Sequence, residues 1–216
     1  MPDIVFELPA RHRVSPNNEK DPLPFYYKRS TGWLYRHRLQ MGLDLLPRPQ
    51  RNASVLEVGV GSGVLVPTLT RAYARYTGTD LVLASGLDDL VTPGCVASFH
   101  SADLLDATTL PRAAYDAIVC FSVLEHIADS AGAARSLAHA LAPGGTLITG
   151  YPMVSRLMTK AFEAIGYHGI DDDHVAAPVD IEDALATVLR PGPRAAFPPH
   201  APVRAALYQC RAWTHR

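Results

Sequence analysis

Residues Val55-Leu56-Glu57-Val58-Gly59-Val60-Gly61-Ser62-Gly63 hold the most specific chemical pattern in the chain. Val55, Leu56 and Val58 suit a buried strand, and the glycines that follow allow backbone geometries that a Cβ would block. The spacing predicts a strand, a glycine-rich turn and then a helix over 64–74, with Pro67 in its first turn. In an open α/β sheet such a turn lies at the carboxyl end of a strand, where ligands bind. It is not the dinucleotide fingerprint, because the third glycine falls at Gly63 and valine follows it. It also lacks the lysine of a phosphate-cradling loop. Asp80 stands seventeen residues beyond Gly63, at the end of a second strand over 76–80. A carboxylate there can accept from both ribose hydroxyls of a bound nucleoside. The plainer alternative is an N-cap for a helix starting at Leu81.

These groups need a sheet to position them, and the chain supplies its strands in order. Residues 82–92 read as a short helical or turn-rich connection, and 95–100 as a third strand. Tyr115 to Phe121 is a fourth, leading into Ser122-Val123-Leu124-Glu125-His126-Ile127. Residues 130–141 predict a helix with Ala133, Leu137 and Leu141 on one stripe, broken by Pro143-Gly144-Gly145 before a strand at 146–149. Strands alternating with helices imply a parallel α/β domain. Upstream, Trp33, Leu34, His37, Met41, Leu45 and Leu46 recur at roughly helical spacing. They predict an amphipathic helix ending near Pro47, capped by Ser30 or Thr31, with Arg36, Arg38 and Gln40 largely on other faces.

Taken together, residues 55–150 resemble the class I S-adenosylmethionine-dependent methyltransferases. The Val123–His126 segment is similar to the Val-Leu-Glu-His signature of their small-molecule and quinone-type members. The resemblance implies an α/β, Rossmann-like methyltransferase fold: a mostly parallel seven-stranded sheet flanked by helices, closed by a C-terminal antiparallel hairpin. It also implies S-adenosyl-L-methionine as cofactor. Gly59, Gly61 and Gly63 would form one wall of its site, with Glu57 supporting the turn or the amino-acid end from beneath. Asp80, with Leu81 beside it, would hold the ribose. Asp103 and Leu104 would line the adenine pocket, although a turn aspartate has a bland alternative role. Phe121 and Ser122 would stand beside the methionine part and the sulfonium, with Leu124 and His126 pointing toward cofactor or substrate. The implied reaction is methyl transfer to an oxygen, nitrogen or carbon nucleophile of a small-molecule metabolite, releasing S-adenosylhomocysteine. The alternative is a noncatalytic or non-methylating binding protein of the same fold.

A neutral hydroxyl acceptor benefits from proton removal, which makes His126, His168, His174 and Asp172 the candidate catalytic residues. The last three fall in Gly166–His174, where three adjacent aspartates must be solvated or paired. That loop reads as a solvated turn, a substrate-binding loop, or carboxylates and histidine around a divalent ion. No strong metal motif is present, and no metal is assigned. A helix is expected over 153–165 and another over 180–190, the latter ended by Arg190-Pro191-Gly192-Pro193. Arg194–Phe197 and Val203–Trp213 would form the hairpin, with Tyr208 and Trp213 as packing residues.

Residues 1–29, punctuated by five prolines, predict an irregular N-terminal segment that is at best partly ordered. Its Phe25-Tyr26-Tyr27 either pins it to the domain or closes over substrate as a lid. Residues 30–216 are expected to form a single domain. A formal charge of −1 and the absence of a basic tract argue against a nucleic-acid partner. No stretch reaches the apolar length of a membrane span, so no integral membrane association is expected. Three scattered cysteines suggest neither disulfides nor a metal knuckle. A cytoplasmic monomer or homodimer with a small-molecule methyl acceptor is the expectation.

Overall fold

The computed structural model describes residues 4–106, 109–153, 175–199 and 206–216. Seven strands form one sheet: β1 (Ser54–Val58), β2 (Arg75–Asp80), β3 (Val96–Ser101), β4 (Tyr115–Phe121), β5 (Leu141–Pro152), β6 (Leu189–Phe197) and β7 (Tyr208–His215). Their spatial order is β3-β2-β1-β4-β5-β7-β6. The first five run parallel, and β7 lies antiparallel between β5 and β6. The expected Rossmann-like methyltransferase fold is therefore observed, hairpin included.

Side-chain alternation explains why the sheet is covered on both faces. Val55, Ala117 and Val119 pack into one core with Leu39, Leu43, Leu69 and Tyr76. Leu56, Val58, Ile118 and Cys120, on the opposite pleat, pack into another with Leu137, Leu147, Ile181 and Trp213. The first face carries α1 (Leu23–Tyr27), α2 (Gly32–Leu43) and α3 (Val66–Ala72), and the second carries α4 (Ser130–Ala140) and α5 (Pro178–Val188). Pro67 does sit in the first turn of α3. After β1 the chain winds outward through β2 and β3, then returns to place β4 beside β1. That reversal opens a crevice at the carboxyl ends of β1 and β4.

Four local expectations need correction. Residues 4–27 are not a loosely ordered lead-in: Ile4, Val14, Leu23 and Tyr26 are buried in the core. Their apolar side chains outweigh the proline punctuation. Helix α2 is not cleanly amphipathic either. Its buried residues are Gly32, Leu39, Met41, Gly42 and Leu43, while Trp33 is 52% exposed. It lies between the N-terminal segment and the sheet edge, so two of its faces are covered. Pro143-Gly144-Gly145 falls within β5 as an irregularity between the pairs Tyr115–Leu141 and Ala117–Thr146, not as a break ahead of the strand. Arg190-Pro191-Gly192-Pro193 likewise belongs to β6, at the sheet's edge, where proline's missing N–H leaves no partner unpaired. The predicted helix at 153–165 and the loop at 166–174 lie outside the described residues, apart from Met153. Among the described residues, no helix is long and apolar enough to cross a membrane.

Helix α2 meets the end of β4 through Gly42, where an added methyl would overlap the Phe121 ring and press on the Cys210 sulfur. Gly42→Ala should therefore cost about 1–3 kcal/mol of stability. The check is a lower urea midpoint at unchanged m-value.

Candidate functional site

The crevice holds a cavity of about 1250 Å³. Single-ligand pockets span roughly 300–1,000 Å³, so this one has room for two bound molecules side by side. One end is built from the turn after β1. Gly59 and Gly61 take φ of +80° and +53°, which keeps the chain tight against the sheet and aims backbone at the cavity. A Cβ on Gly59 would also overlap Val123 of the neighbouring strand's exit.

Asp80 anchors this end. One carboxylate oxygen accepts from the Gly61 N–H at 2.8 Å, and the other faces the Val82 N–H at 3.4 Å. No helix begins at Leu81, so the N-cap alternative falls away. Lone pairs on both oxygens remain for a diol. Leu81 lies on the rim, 68% exposed. Asp103 also borders the cavity, while its carboxylate accepts from the Leu105 N–H at 2.9 Å as a turn aspartate does. Leu104 lines the wall and is buried.

Beneath the turn, Glu57 is 3% exposed and accepts a 2.6 Å hydrogen bond from the Tyr76 hydroxyl. Burial pushes its carboxyl up to about 8; the Tyr76 bond opposes the rise, and the Asp80 charge adds to it. Phe121 lines the cavity at the end of β4, wedged between Gly42 and Gly150. Ser122 follows with φ +56°, a left-handed backbone uncommon for a residue with a Cβ. Its N–H donates to the Gly150 carbonyl at 2.7 Å. This turn swings the chain outward and starts the short 3₁₀ segment Leu124–His126.

The other end of the cavity holds groups whose placement the sequence did not disclose. Arg38, expected away from the core, turns into the cavity beside Leu34 and Tyr35. It donates to the Tyr26 hydroxyl at 3.0 Å and to Ser122 Oγ at 3.2 Å. Its guanidinium carbon lies 4.5 Å from the Tyr35 ring centre and 5.4 Å from that of Tyr208. Among the described residues, the buried Arg38 Nε has no hydrogen-bond partner. Tyr208 is thus a cavity residue as well as a packing one, its hydroxyl 3.1 Å from Ser122 Oγ. The signal in the sequence is that Leu34, Tyr35 and Arg38 fall at i, i+1 and i+4, one helical face.

Within the Val-Leu-Glu-His segment the roles also shift. Leu124 turns into the core below the sheet instead of toward a ligand. His126 reaches the cavity but is exposed. Glu125 is 2% exposed and borders the cavity, and among the described residues no other residue hydrogen-bonds to its carboxylate oxygens. Burial pushes its carboxyl up to about 7, with its own backbone N–H and the Arg38 charge opposing the rise. Its backbone carbonyl accepts from the N–H groups of Val175 and Ala176. His168, Asp172 and His174 lie outside the described residues.

The N-terminal segment closes the cavity's open side. Phe25 and Tyr26 line it, whereas the Tyr27 hydroxyl donates to the Pro9 carbonyl and pins the segment in place. Asp21 accepts from Ser62 Oγ at 3.3 Å, directly over the glycine turn. The Asn17 amide donates to the Val82 carbonyl at 3.1 Å.

A family model described as a methyltransferase domain matches residues 33–190, and the chain belongs to that family. Among individual relatives, it is 32% identical over 152 residues to the ubiquinone biosynthesis O-methyltransferase of Xylella fastidiosa (strain 9a5c). That match covers 64% of this chain and 61% of the relative, so the chain spans about three fifths of the length of that protein. Its fold is similar to N-methyltransferase NodS from Bradyrhizobium japonicum WM9, solved with S-adenosyl-L-homocysteine, at a TM-score of 0.65 and 18% identity over 93% of this chain and 94% of NodS. It is also similar to geranyl diphosphate C-methyltransferase from Streptomyces coelicolor A3(2), at a TM-score of 0.64 and 11% identity, covering 99% of this chain and 90% of that one.

Glu125 makes the apoprotein's stability depend on pH. Its folded-state value, about 7, is raised above the ordinary 4.5. The folded state therefore binds the extra proton between these limits, and stability falls as pH rises through that window. The penalty, on the order of 3 kcal/mol, is complete above neutrality. Glu125→Gln should raise Tm at pH 8, with the gain shrinking as pH falls toward 4.5. Thermal unfolding followed by circular dichroism across this range checks it.

Proposed function

We propose that this protein transfers the methyl group of S-adenosyl-L-methionine to an oxygen, nitrogen or carbon nucleophile of a small-molecule metabolite, releasing S-adenosylhomocysteine. The observation that carries this reading is one cavity at the sheet's reversal point, with a nucleoside-suited end and a separate polar and aromatic end. Membership of the methyltransferase family supports it.

The residues fit the donor. The turn at Gly59 and Gly61 would admit its nucleoside backbone-close, with Gly63 packing that turn against Leu87 and Leu90, and the Asp80 carboxylate would take the ribose hydroxyls beside Leu81. Asp103 and Leu104 would border the adenine, and Phe121 and Ser122 the methionine part. The Arg38 guanidinium borders the cavity and would suit the donor's carboxylate. Glu57 would sit below the amino-acid end. The donor brings an already activated methyl, so the protein's task is alignment and exclusion of water. The strap at residues 17–28 would serve the second purpose, with Asn17 and Asp21 over the donor end and Phe25 and Tyr26 over the acceptor end. No basic tract offers a nucleic-acid surface, and a soluble cytoplasmic metabolite is the acceptor we favour.

One observation favours keeping a second reading. The fold is also similar to the [4+2]-cyclase SpnF, at a TM-score of 0.63 and 13% identity over 85% of this chain and 83% of SpnF. A non-methylating protein that binds S-adenosylmethionine is the corresponding alternative, and turnover of methyl-labelled donor separates the two.

Asp80→Ala removes the ribose acceptor and frees the Gly61 N–H. Loss of a charged hydrogen-bond acceptor should weaken S-adenosylhomocysteine binding by about 10- to 100-fold. Titration calorimetry reads this directly, and an unchanged Kd would refute the ribose assignment.

A further inference from the structure

We propose that a second, smaller cavity at the opposite end of the sheet binds a small organic phosphate, with Arg112 and Arg135 holding the phosphate group. The inference does not depend on the methyl-transfer reading: among the described residues the two cavities share none.

This cavity has a volume of about 480 Å³, within the range of single small-molecule sites. It opens where β4 and β5 begin, whereas the large crevice lies at the strands' carboxyl ends. Arg112 reaches it from the loop before β4, Arg135 and His139 from α4, and His215 from the end of β7. Among the described residues, none that lines it is acidic. The whole chain carries a formal charge of −1, so this gathering of basic side chains is local and not one part of a basic protein.

Basic side chains also collect at helix carboxyl ends to meet unpaired carbonyls, and α4 ends here. Those carbonyls are already occupied. The ones of His139 and Ala140 accept from the N–H groups of Ala113 and Ala114, at 2.8 and 2.9 Å. The Leu141 carbonyl lies 2.9 Å from His215 Nε2, and since a carbonyl only accepts, that nitrogen donates. At the end of α5, the Ala186 carbonyl accepts from Arg216. Neither arginine of the cavity takes part in this capping. Arg135 meets Asp129 at 3.9 Å with both side chains more than half exposed, an ion pair worth little in water. Among the described residues, the Arg112 guanidinium has neither an ion-pair nor a hydrogen-bond partner. The turn that carries it holds Ala113 at φ +50°, a left-handed backbone uncommon for a residue with a Cβ.

The lining also selects the kind of anion. Two guanidiniums arriving from different elements can share the three free oxygens of a phosphate monoester, whereas a carboxylate offers only two. The rest of the lining is mostly apolar, with Ala138, Leu141, Pro143 and Val188. Gly144, at φ +79°, leaves its side open, with no atom within 4 Å of where a Cβ would stand. A bare anion would use only the arginines. A phosphate ester would also bury its organic part against the apolar lining.

Calorimetric titration of the intact protein with phenyl phosphate, inorganic phosphate and benzoate tests this, with and without S-adenosylhomocysteine. Phenyl phosphate should bind with a Kd of about 1 mM or tighter, and about fivefold or more tighter than either other ligand. Arg112→Ala/Arg135→Ala should weaken it by about 10-fold or more. Arg48→Ala/Arg51→Ala removes the same charge from an exposed loop elsewhere, and should leave the Kd within about twofold. All four arginines are exposed, so both variants should keep the native circular dichroism spectrum. S-adenosylhomocysteine should not compete. Lack of saturable binding at about 10 mM phenyl phosphate overturns the proposal. So does equal loss in the two double variants, equal affinity for the three ligands, or displacement by S-adenosylhomocysteine. None of these outcomes bears on the methyl-transfer reading, which stands or falls on donor binding and methyl turnover.

Discussion

A guanidinium drawn out of bulk water must be met by oxygens and aromatic faces, and the outer wall of the cavity is assembled around meeting that of Arg38. The Tyr26 hydroxyl comes from the N-terminal segment, Ser122 Oγ from the turn after β4, and the ring of Tyr208 from β7. Tyr35 contributes a ring from the same helix. Three parts of the chain far apart in sequence are thereby held to one cation. Charge-assisted hydrogen bonds of this kind are stronger than neutral ones, and stacking adds to them. The Cys210 thiol, directed at the Arg38 carbonyl, ties the same helix to β7 from below.

The two ends of the cavity obey different physics. At the Gly59–Gly63 end the working groups are backbone and one carboxylate, and that carboxylate is already bonded to the turn it serves. Asp80 therefore both shapes the turn and offers its remaining lone pairs to a ligand, so its position is preorganised at little further entropic cost. At the Arg38–Glu125 end a cation and a carboxylate are buried close by, and among the described residues no other residue hydrogen-bonds to the Arg38 Nε or to either Glu125 oxygen. Arrangements of this kind cost stability and persist where function uses them. The raised carboxyl of Glu125 expresses that cost, and Ser122's left-handed backbone is a second instance beside it.

Much of the fold was legible because parallel strands buried on both faces write themselves as largely apolar runs closed by a small turn residue, here Gly59 and Ser122. Val55–Val58 and Tyr115–Phe121 are such runs, and their flanking turns mark the carboxyl ends where ligands gather. The N-terminal residues read wrongly for a related reason. Proline spacing speaks for irregular backbone, and it does; but irregular backbone can still bury Ile4, Val14 and Leu23 against a sheet. Arg38 was misplaced because a helix covered on two sides has no single solvent face from which polarity can be inferred.

The sequence by itself determined the order of strands and helices, the glycine turn, and the position of Asp80 opposite it. These depend on residues within one βαβ unit, where local geometry leaves few choices. Only the tertiary structure decided that Glu125 and not Leu124 borders the cavity, that His126 lies on its exposed rim, and that Tyr26, Arg38 and Tyr208 converge. A 3₁₀ turn rotates successive side chains by about 120°, so the direction of each is fixed by what packs against it. Convergence of residues 26, 38, 125 and 208 depends on the return of β7 alongside β5, a contact no local pattern encodes.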